Sequence, residues 1–279
     1  MRSAETLNRT APRARASAAA PEMPRQRRDE ILLEAAAQLT PVVLTARTAE
    51  CWQVYKSRLL SAEPGQRLLV ERSDNTPGGP PEIAPGEELG VTFRRGHRKC
   101  MFSARVQPPA SVVLGDRRHT ALVLSWPDWM QEFQRRVYQR VAPPPDQSIE
   151  VHVWRGGAEQ RPASSAAAGS GVHVGAVCDL SVGGMAMTLA GVHPLRAGDA
   201  LGCAFSARPN DEPFVLDATL RHVGRDAEGR SVLGLQFVGL ETSGYGREAV
   251  TRLAKTVTGF HRLQSRRNEA RWRRAPKPV

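Results

Sequence analysis

The sequence predicts an all-β protein: two small antiparallel β-barrel domains in tandem, the second a six-stranded barrel followed by a C-terminal α-helix. The 279 residues include 24 glycines and 21 prolines, which indicate many turns. Short β-type runs recur along the chain and are separated by turn-rich clusters. The length is sufficient for two domains of ordinary size, each with its own core.

The first domain is predicted over residues 29–131. It opens with a short helix at 29–39, DEILLEAAAQL, which has an acidic start, good helix formers and Pro41 just beyond its end. Five β-type runs follow, separated by turn clusters such as SDNTPGGPPE. They lie at 42–46, 67–71, 88–95, 100–106 and 119–126. This pattern alone fits a barrel or a sandwich.

The second domain is predicted over residues 132–265 and contains six short strands joined by loops, as in a closed or partly closed barrel. The strands lie at 149–154, 172–180, 184–190, 200–207, 214–224 and 231–240. Between the first two, the small polar residues of 156–171 predict a flexible insertion. The final helix has apolar residues at helical spacing, which favours packing on the barrel over self-association. They are Ala249, Val250, Leu253, Val257, Phe260 and Leu263.

The net charge of +11 is concentrated at the two ends of the chain. Residues 1–28 hold seven arginines against two glutamates, and residues 262–279 hold seven basic residues against one glutamate. We predict disordered basic tails at 1–28 and 266–279, because neither has a sustained apolar period and prolines follow the last arginines. The remainder is neutral overall, so nucleic acid is not expected as a partner, although the tails could attach to acidic surfaces.

No apolar run is long enough for a membrane span, and the first twenty residues lack the apolar core of a secretory signal, which predicts a cytoplasmic protein. Motifs of catalytic nucleophiles, phosphate loops and metal ligands are also absent from the sequence. We therefore predict a protein that is not an enzyme and has no metal site and no cofactor.

Two short fragments indicate one anion-binding site. The first, QRRVYQRV at 134–141, carries Arg135, Arg136 and Arg140. Each guanidinium is a planar fork that pairs bidentately with phosphate or with the O6 and N7 edge of guanine. Lysine would supply only charge.

The second fragment, DLSVGG at 179–184, supplies complementary groups. Asp179 can accept hydrogen bonds from the N1 and N2 donors of guanine, and Ser181 can donate or accept. Gly183 and Gly184 let the backbone turn tightly and approach a ligand without a Cβ. A carboxylate beside arginines suits a guanine nucleotide better than phosphate alone. Either pattern alone, however, is weak evidence. An RxxxR pattern occurs easily by chance in so arginine-rich a chain, and DxSxxG also fits a simple turn.

Together, RRxxxR followed by (D/N)xSxxG resembles the signature of PilZ domains, receptors for the bacterial second messenger cyclic di-GMP. The strand GLQF at 234–237, followed by a helix, also resembles this family, and residues 40–130, with TFRRGHRKCMFSARV, are similar to the N-terminal β-domain of its flagellar-brake type. The resemblance implies that the arginines grip phosphates and guanine edges while Asp179 and Ser181 hold guanine. It also implies that binding resets the angle between the domains.

Three functional hypotheses follow. The first is a cyclic di-GMP receptor that acts on a protein partner in a motility, secretion or polysaccharide machine. The second is a PilZ-type adaptor that works through protein contacts without the nucleotide. The third is a nucleic-acid-binding protein that uses its basic tails.

Overall fold

The computed structural model describes residues 23–48, 52–72, 83–114, 117–134, 139–162, 171–191 and 193–274. Two closed antiparallel barrels follow one another along the chain, and a long helix ends the described part. The fold class is therefore as the sequence predicts. Arg135 and Arg136 of the first fragment, and most of the predicted insertion at 156–171, lie outside the described residues.

The first domain is a closed six-stranded barrel with a seventh strand on its outside. Strand neighbours follow the order β4-β1-β2-β3-β6-β5, and pairing of β4 with β5 closes the ring. Strand β7 pairs with β5 outside the ring, so this sheet extends past residue 131. The elements are α1 (Arg25–Ala37), β1 (Pro41–Arg47), β2 (Trp52–Glu63), β3 (Arg67–Glu71), β4 (Glu88–Arg95), β5 (Arg98–Leu114), β6 (Arg117–Ser125) and β7 (Gln131–Gln134).

Helix α1 begins four residues before the predicted start, inside the segment predicted to be a disordered tail. Arg28 explains the difference, because its guanidinium is buried and donates to the backbone carbonyls of Pro127 and Asp128 at 2.8 and 3.2 Å. On its inner face the helix buries Ile31 and Leu32 in the barrel core. The two hydrogen bonds of Arg28 join residues about a hundred positions apart, so the local sequence pattern could not predict them.

The second domain is a closed six-stranded barrel with neighbours in the order β10-β13-β12-β11-β8-β9. All six predicted strands are present, and every pairing is antiparallel. The elements are β8 (Glu150–Arg155), β9 (His173–Ser181), β10 (Gly184–Leu189), β11 (Ala200–Phe205), β12 (Phe214–Arg225), β13 (Ser231–Phe237) and α2 (Gly244–Arg274).

Helix α2 covers the second barrel with the predicted apolar stripe, from Ala249 to Phe260, which joins the barrel core. Leu263 is an exception, because 44% of it remains exposed. The helix backbone continues to Arg274, beyond the predicted domain end at 265. The first residue that must stop a helix there is Pro276, so no local signal ends it earlier.

The two barrels pack against each other. Met101 of β5 is buried in the core of the second barrel, and the backbone of Gly239 lies against the indole of Trp52 on β2. Arg47 of β1 makes two hydrogen bonds, of 3.1 and 2.7 Å, to the carboxylate of Glu159. No helix in the part of the chain that the structure describes is long and apolar enough to cross a membrane.

Candidate ligand-binding site

The two described ends of the arginine fragment are each paired to a different barrel. On one side, Gln134 ends β7 and pairs with Arg98 of the first barrel. On the other, Val141 exchanges two backbone hydrogen bonds, of 3.0 and 2.9 Å, with Leu180 of β9. Residues 135–140 therefore link two fixed points, one in each barrel.

A β-bulge in β9 turns Asp179 to the outside of the second barrel. Asp179 pairs with Ala186 of β10, whereas Val177 pairs with the next residue, so Cys178 is the extra residue in β9. Val177 and Leu180 are buried, while Cys178 between them is exposed and Asp179 is partly exposed. A bulge commonly redirects a side chain next to a functional site.

Arg140 and Asp179, one from each fragment, are brought together by this arrangement. The guanidinium Nε of Arg140 lies 3.6 Å from Oδ1 of Asp179, and their side chains remain 49% and 31% exposed. The same Oδ1 accepts a hydrogen bond of 3.0 Å from the backbone N–H of Ala186, which fixes the carboxylate on the barrel. Both groups are thus oriented and still accessible to a ligand.

Ser181, Gly183 and Gly184 form the tight hairpin that joins β9 to β10. The Ser181 hydroxyl is buried and donates to the carbonyl of Gly184 at 3.0 Å. The carbonyl of Gly183 accepts from the N–H of Phe237 at 3.0 Å. A Cβ on Gly184 would lie 2.1 Å from the carbonyl oxygen of Leu235. These three residues hold the hairpin against β13.

A cleft of about 1370 Å³ opens between the barrels beside both fragments. Gln139 and Gly183 contribute to its wall from the two fragments, together with Gln236 of β13. The first barrel contributes five basic residues, Lys56, Arg94, His97, Arg98 and Lys99. Such a wall attracts an anionic ligand, and the volume is ample for a dinucleotide.

A buried carboxylate, Glu241, lies at this interface. Glu241 is 9% exposed, lies against Gly90 of β4 and has one oxygen without a hydrogen-bond partner among the described residues. Burial raises the pKa of Glu241, an effect opposed by the positive charge of Lys99. Burial in turn lowers the pKa of Lys99. The interface therefore contains an opposite charge pair that desolvation disfavours.

Another carboxylate anchors the strand that leads into the arginine fragment. Glu132 of β7 is 5% exposed and contacts the guanidinium groups of Arg98 at 2.7 Å, Arg27 at 3.2 Å and Arg95 at 3.7 Å. Although burial opposes the shift, its arginine partners hold the pKa of Glu132 below the ordinary value. The position of β7, and so the start of the fragment, depends on these contacts.

The sequence analysis did not predict the basic wall that the first barrel contributes to the cleft. Its residues come from β2 and from the β4–β5 hairpin, far from both fragments in sequence. The one available signal was the RRGHRK run at 94–99, which carries five basic residues around a glycine turn. Within the described residues, no group of three or more His, Cys, Asp or Glu side chains could hold a metal ion.

Residues 134–254 match the PilZ domain family. The match covers the second barrel and the first part of α2, so this part of the chain is a PilZ domain, and another β-barrel precedes it. No curated protein sequence matches it.

Three solved structures are similar to the chain. The Bacillus subtilis inhibitor of motility MotI/DgrA is 18% identical, with 78% of this chain and 95% of that one covered and a TM-score of 0.30. YcgR of Escherichia coli, in complex with c-di-GMP, is 17% identical, with coverages of 88% and 96% and a TM-score of 0.34. Apo MrkH of K. pneumonia is 12% identical, with coverages of 88% and 97% and a TM-score of 0.46.

Proposed function

We propose that the protein is a cytoplasmic receptor for cyclic di-GMP that binds the nucleotide at the junction of its two barrels. The observation that carries this proposal is the meeting of Arg140 with Asp179 beside the basic cleft. The match of residues 134–254 to the PilZ domain supports it, because both fragments resemble the signature of that receptor family.

Each residue of the two fragments has a role in the proposal. Arg135, Arg136 and Arg140 bind phosphates and guanine edges, and Asp179 accepts hydrogen bonds from guanine N1 and N2. The buried Ser181 hydroxyl, Gly183 and Gly184 keep the β9–β10 hairpin in the shape that presents Asp179. No metal or cofactor is required, and the protein has no catalytic step.

Nucleotide binding is proposed to alter the arrangement of the barrels. The arginines lie on a short link whose ends are paired to different barrels, at Gln134 and Val141. We propose that a ligand that draws the link toward Asp179 shifts one of these ends relative to the other. We propose that this change is read by a protein partner in a motility, secretion or polysaccharide machine.

Equilibrium dialysis with cyclic di-GMP and cyclic di-AMP tests the proposed recognition. The two ligands have the same phosphates, but adenine lacks the N1–H and N2 amino groups from which Asp179 would accept hydrogen bonds. We expect cyclic di-GMP to bind at least tenfold more tightly. Equal binding would leave a phosphate site without guanine recognition, and absence of binding by both would favour the adaptor function.

A further inference from the structure

The last turns of α2 extend past the core of the second barrel and carry a concentrated positive charge. We define residues 261–274 as the basic extension. Among the described side chains of the helix Phe260 is the last buried one, and each side chain from Arg262 to Arg267 is exposed. Over its 14 positions the basic extension has six arginines and one glutamate. At 1.5 Å per residue it is about 20 Å long.

The helical backbone changes the significance of this charge. A disordered tail would spread the arginines over many conformations, whereas a helix keeps them along one short rod. Arg262 and Arg266 are four positions apart, and therefore adjacent on the helix surface. Arg267 pairs with Asp146 at 3.1 Å, but both side chains are largely exposed and such a pair contributes little stability.

We propose that the basic extension is a docking surface for the phosphate backbone of nucleic acid, independent of base sequence. All six cations are arginines, whose planar guanidinium groups pair bidentately with phosphate. A rod about 20 Å long matches several successive phosphates of a duplex. Together, these features provide charge complementarity to a polyanion and do not require contacts with base edges in the grooves.

The alternative anionic surface, a phospholipid membrane, fits less well. A helix that lies on a membrane needs an apolar face opposite its basic face. Among the described side chains of the basic extension, Leu263 is the large apolar residue that is exposed. The side chains that the structure describes there, up to Arg267, therefore provide charge with little hydrophobic area for membrane insertion.

The experiment uses the full chain and a fluorescein-labelled 25-base-pair DNA duplex, with affinity measured by fluorescence anisotropy between 50 and 200 mM salt. The test variant is Arg262→Gln, Arg266→Gln and Arg267→Gln together. The matched control is Arg196→Gln, Arg208→Gln and Arg225→Gln, which removes the same charge from exposed positions on the second barrel. Circular dichroism and thermal melting confirm that both variants are folded.

We expect wild type to bind duplexes of unrelated sequence with similar affinity, which falls steeply with salt. The affinity of the test variant should be about tenfold or more below that of wild type at 50 mM salt. The magnitude of its slope of log affinity against log salt should be smaller by about 2 to 3. The control should remain near wild type. The proposal is overturned by failure of wild type to bind, by equal losses in both variants, or by binding only to phosphatidylglycerol vesicles.

Discussion

The Arg140 guanidinium lies 3.6 Å from the Asp179 carboxylate, so two fragments separated by a strand and a long loop meet at one point. Asp179 reaches this point because a bulge at Cys178 places it on the outer side of β9. Arg140 reaches it because the next residue, Val141, is paired to Leu180. Backbone pairing therefore brings the two charged side chains of the candidate site together, and both remain partly exposed.

Replacement of Arg140 or Asp179 by Ala should weaken cyclic di-GMP binding, and Arg140→Ala should have little effect on stability. Loss of one hydrogen bond to a charged group costs about 1.5–3 kcal/mol, which is about 10- to 150-fold in Kd. The Arg140–Asp179 contact itself is exposed, so the melting temperature of Arg140→Ala should hardly change, whereas Asp179→Ala also removes the acceptor of the Ala186 N–H and should cost about 1 kcal/mol of stability. Isothermal titration calorimetry and thermal melting provide the two measurements.

Arg155→Ala is the matched control for this prediction. Arg155 forms an ion pair of 3.0 Å with Asp199 and is 57% exposed, against 49% for Arg140, but it belongs to neither fragment. Its replacement should leave the Kd unchanged. An equal loss of affinity in Arg155→Ala and Arg140→Ala would mean that only net charge matters and that Arg140 does not belong to the site.

Gly184→Ala should destabilise the second barrel. The added methyl group would lie 2.1 Å from the carbonyl oxygen of Leu235, so β10 and β13 would have to separate. We expect a loss of about 1–3 kcal/mol in the free energy of unfolding, measured by urea denaturation. Gly259→Ala in α2 is the control, because open space surrounds that position and alanine favours a helix. A neutral Gly184→Ala variant would contradict the close packing.

Ser181→Ala tests whether the hydroxyl acts on the hairpin or on the ligand. The structure places it in a buried hydrogen bond with the Gly184 carbonyl, so its loss should lower the free energy of unfolding by about 1 kcal/mol. The Kd for cyclic di-GMP should rise less than in Asp179→Ala. A larger rise in Kd, with unchanged stability, would assign the hydroxyl a direct contact with the nucleotide.

Glu241→Gln should stabilise the protein at pH 7 and lose this advantage in acid. Burial raises the pKa of Glu241 in the folded state above its ordinary value of 4.5. The contribution of the protonated Glu241 carboxyl to stability is therefore fully present below about pH 4.5 and is lost as pH rises through the raised pKa. The positive charge of Lys99 faces Glu241, and the variant gives up the attraction between this charge and the ionised carboxylate, which limits the gain at pH 7.

Guanidinium denaturation at pH 7 and pH 4 measures this difference between Glu241→Gln and wild type. Glu88→Gln, at an exposed position of β4, is the control and should change stability little at either pH. A Glu241→Gln variant that is less stable than wild type at pH 7 would show that attraction to Lys99 outweighs the cost of burial.

Much of the fold follows from local sequence patterns. Strands β3 and β4 have the predicted bounds, and all six strands of the second barrel were predicted, because turn residues flank apolar runs there. Strand β2 was not predicted, since Lys56 and Arg58 interrupt its apolar residues. Strand β7 was missed because its four polar and aromatic residues become a strand only by pairing with β5.

The candidate site was only partly predictable. Motif spacing identified Arg140 and Asp179 as neighbours, because both types of side chain are needed for a guanine nucleotide. The bulge at Cys178 and the basic wall around Arg94 and Lys99 arise from strand pairing and barrel packing, which leave no pattern near the motif. For the same reason, the buried position of Ser181 could not be inferred from the DxSxxG spacing.

The most direct test is isothermal titration calorimetry of the purified full chain with cyclic di-GMP. The proposed site predicts saturable heat with a Kd in the micromolar range or below, which is lost in the Arg136→Ala, Arg140→Ala double variant while circular dichroism stays unchanged. Absence of heat with wild type at tens of micromolar ligand, or normal binding by the folded double variant, would contradict the proposed receptor site.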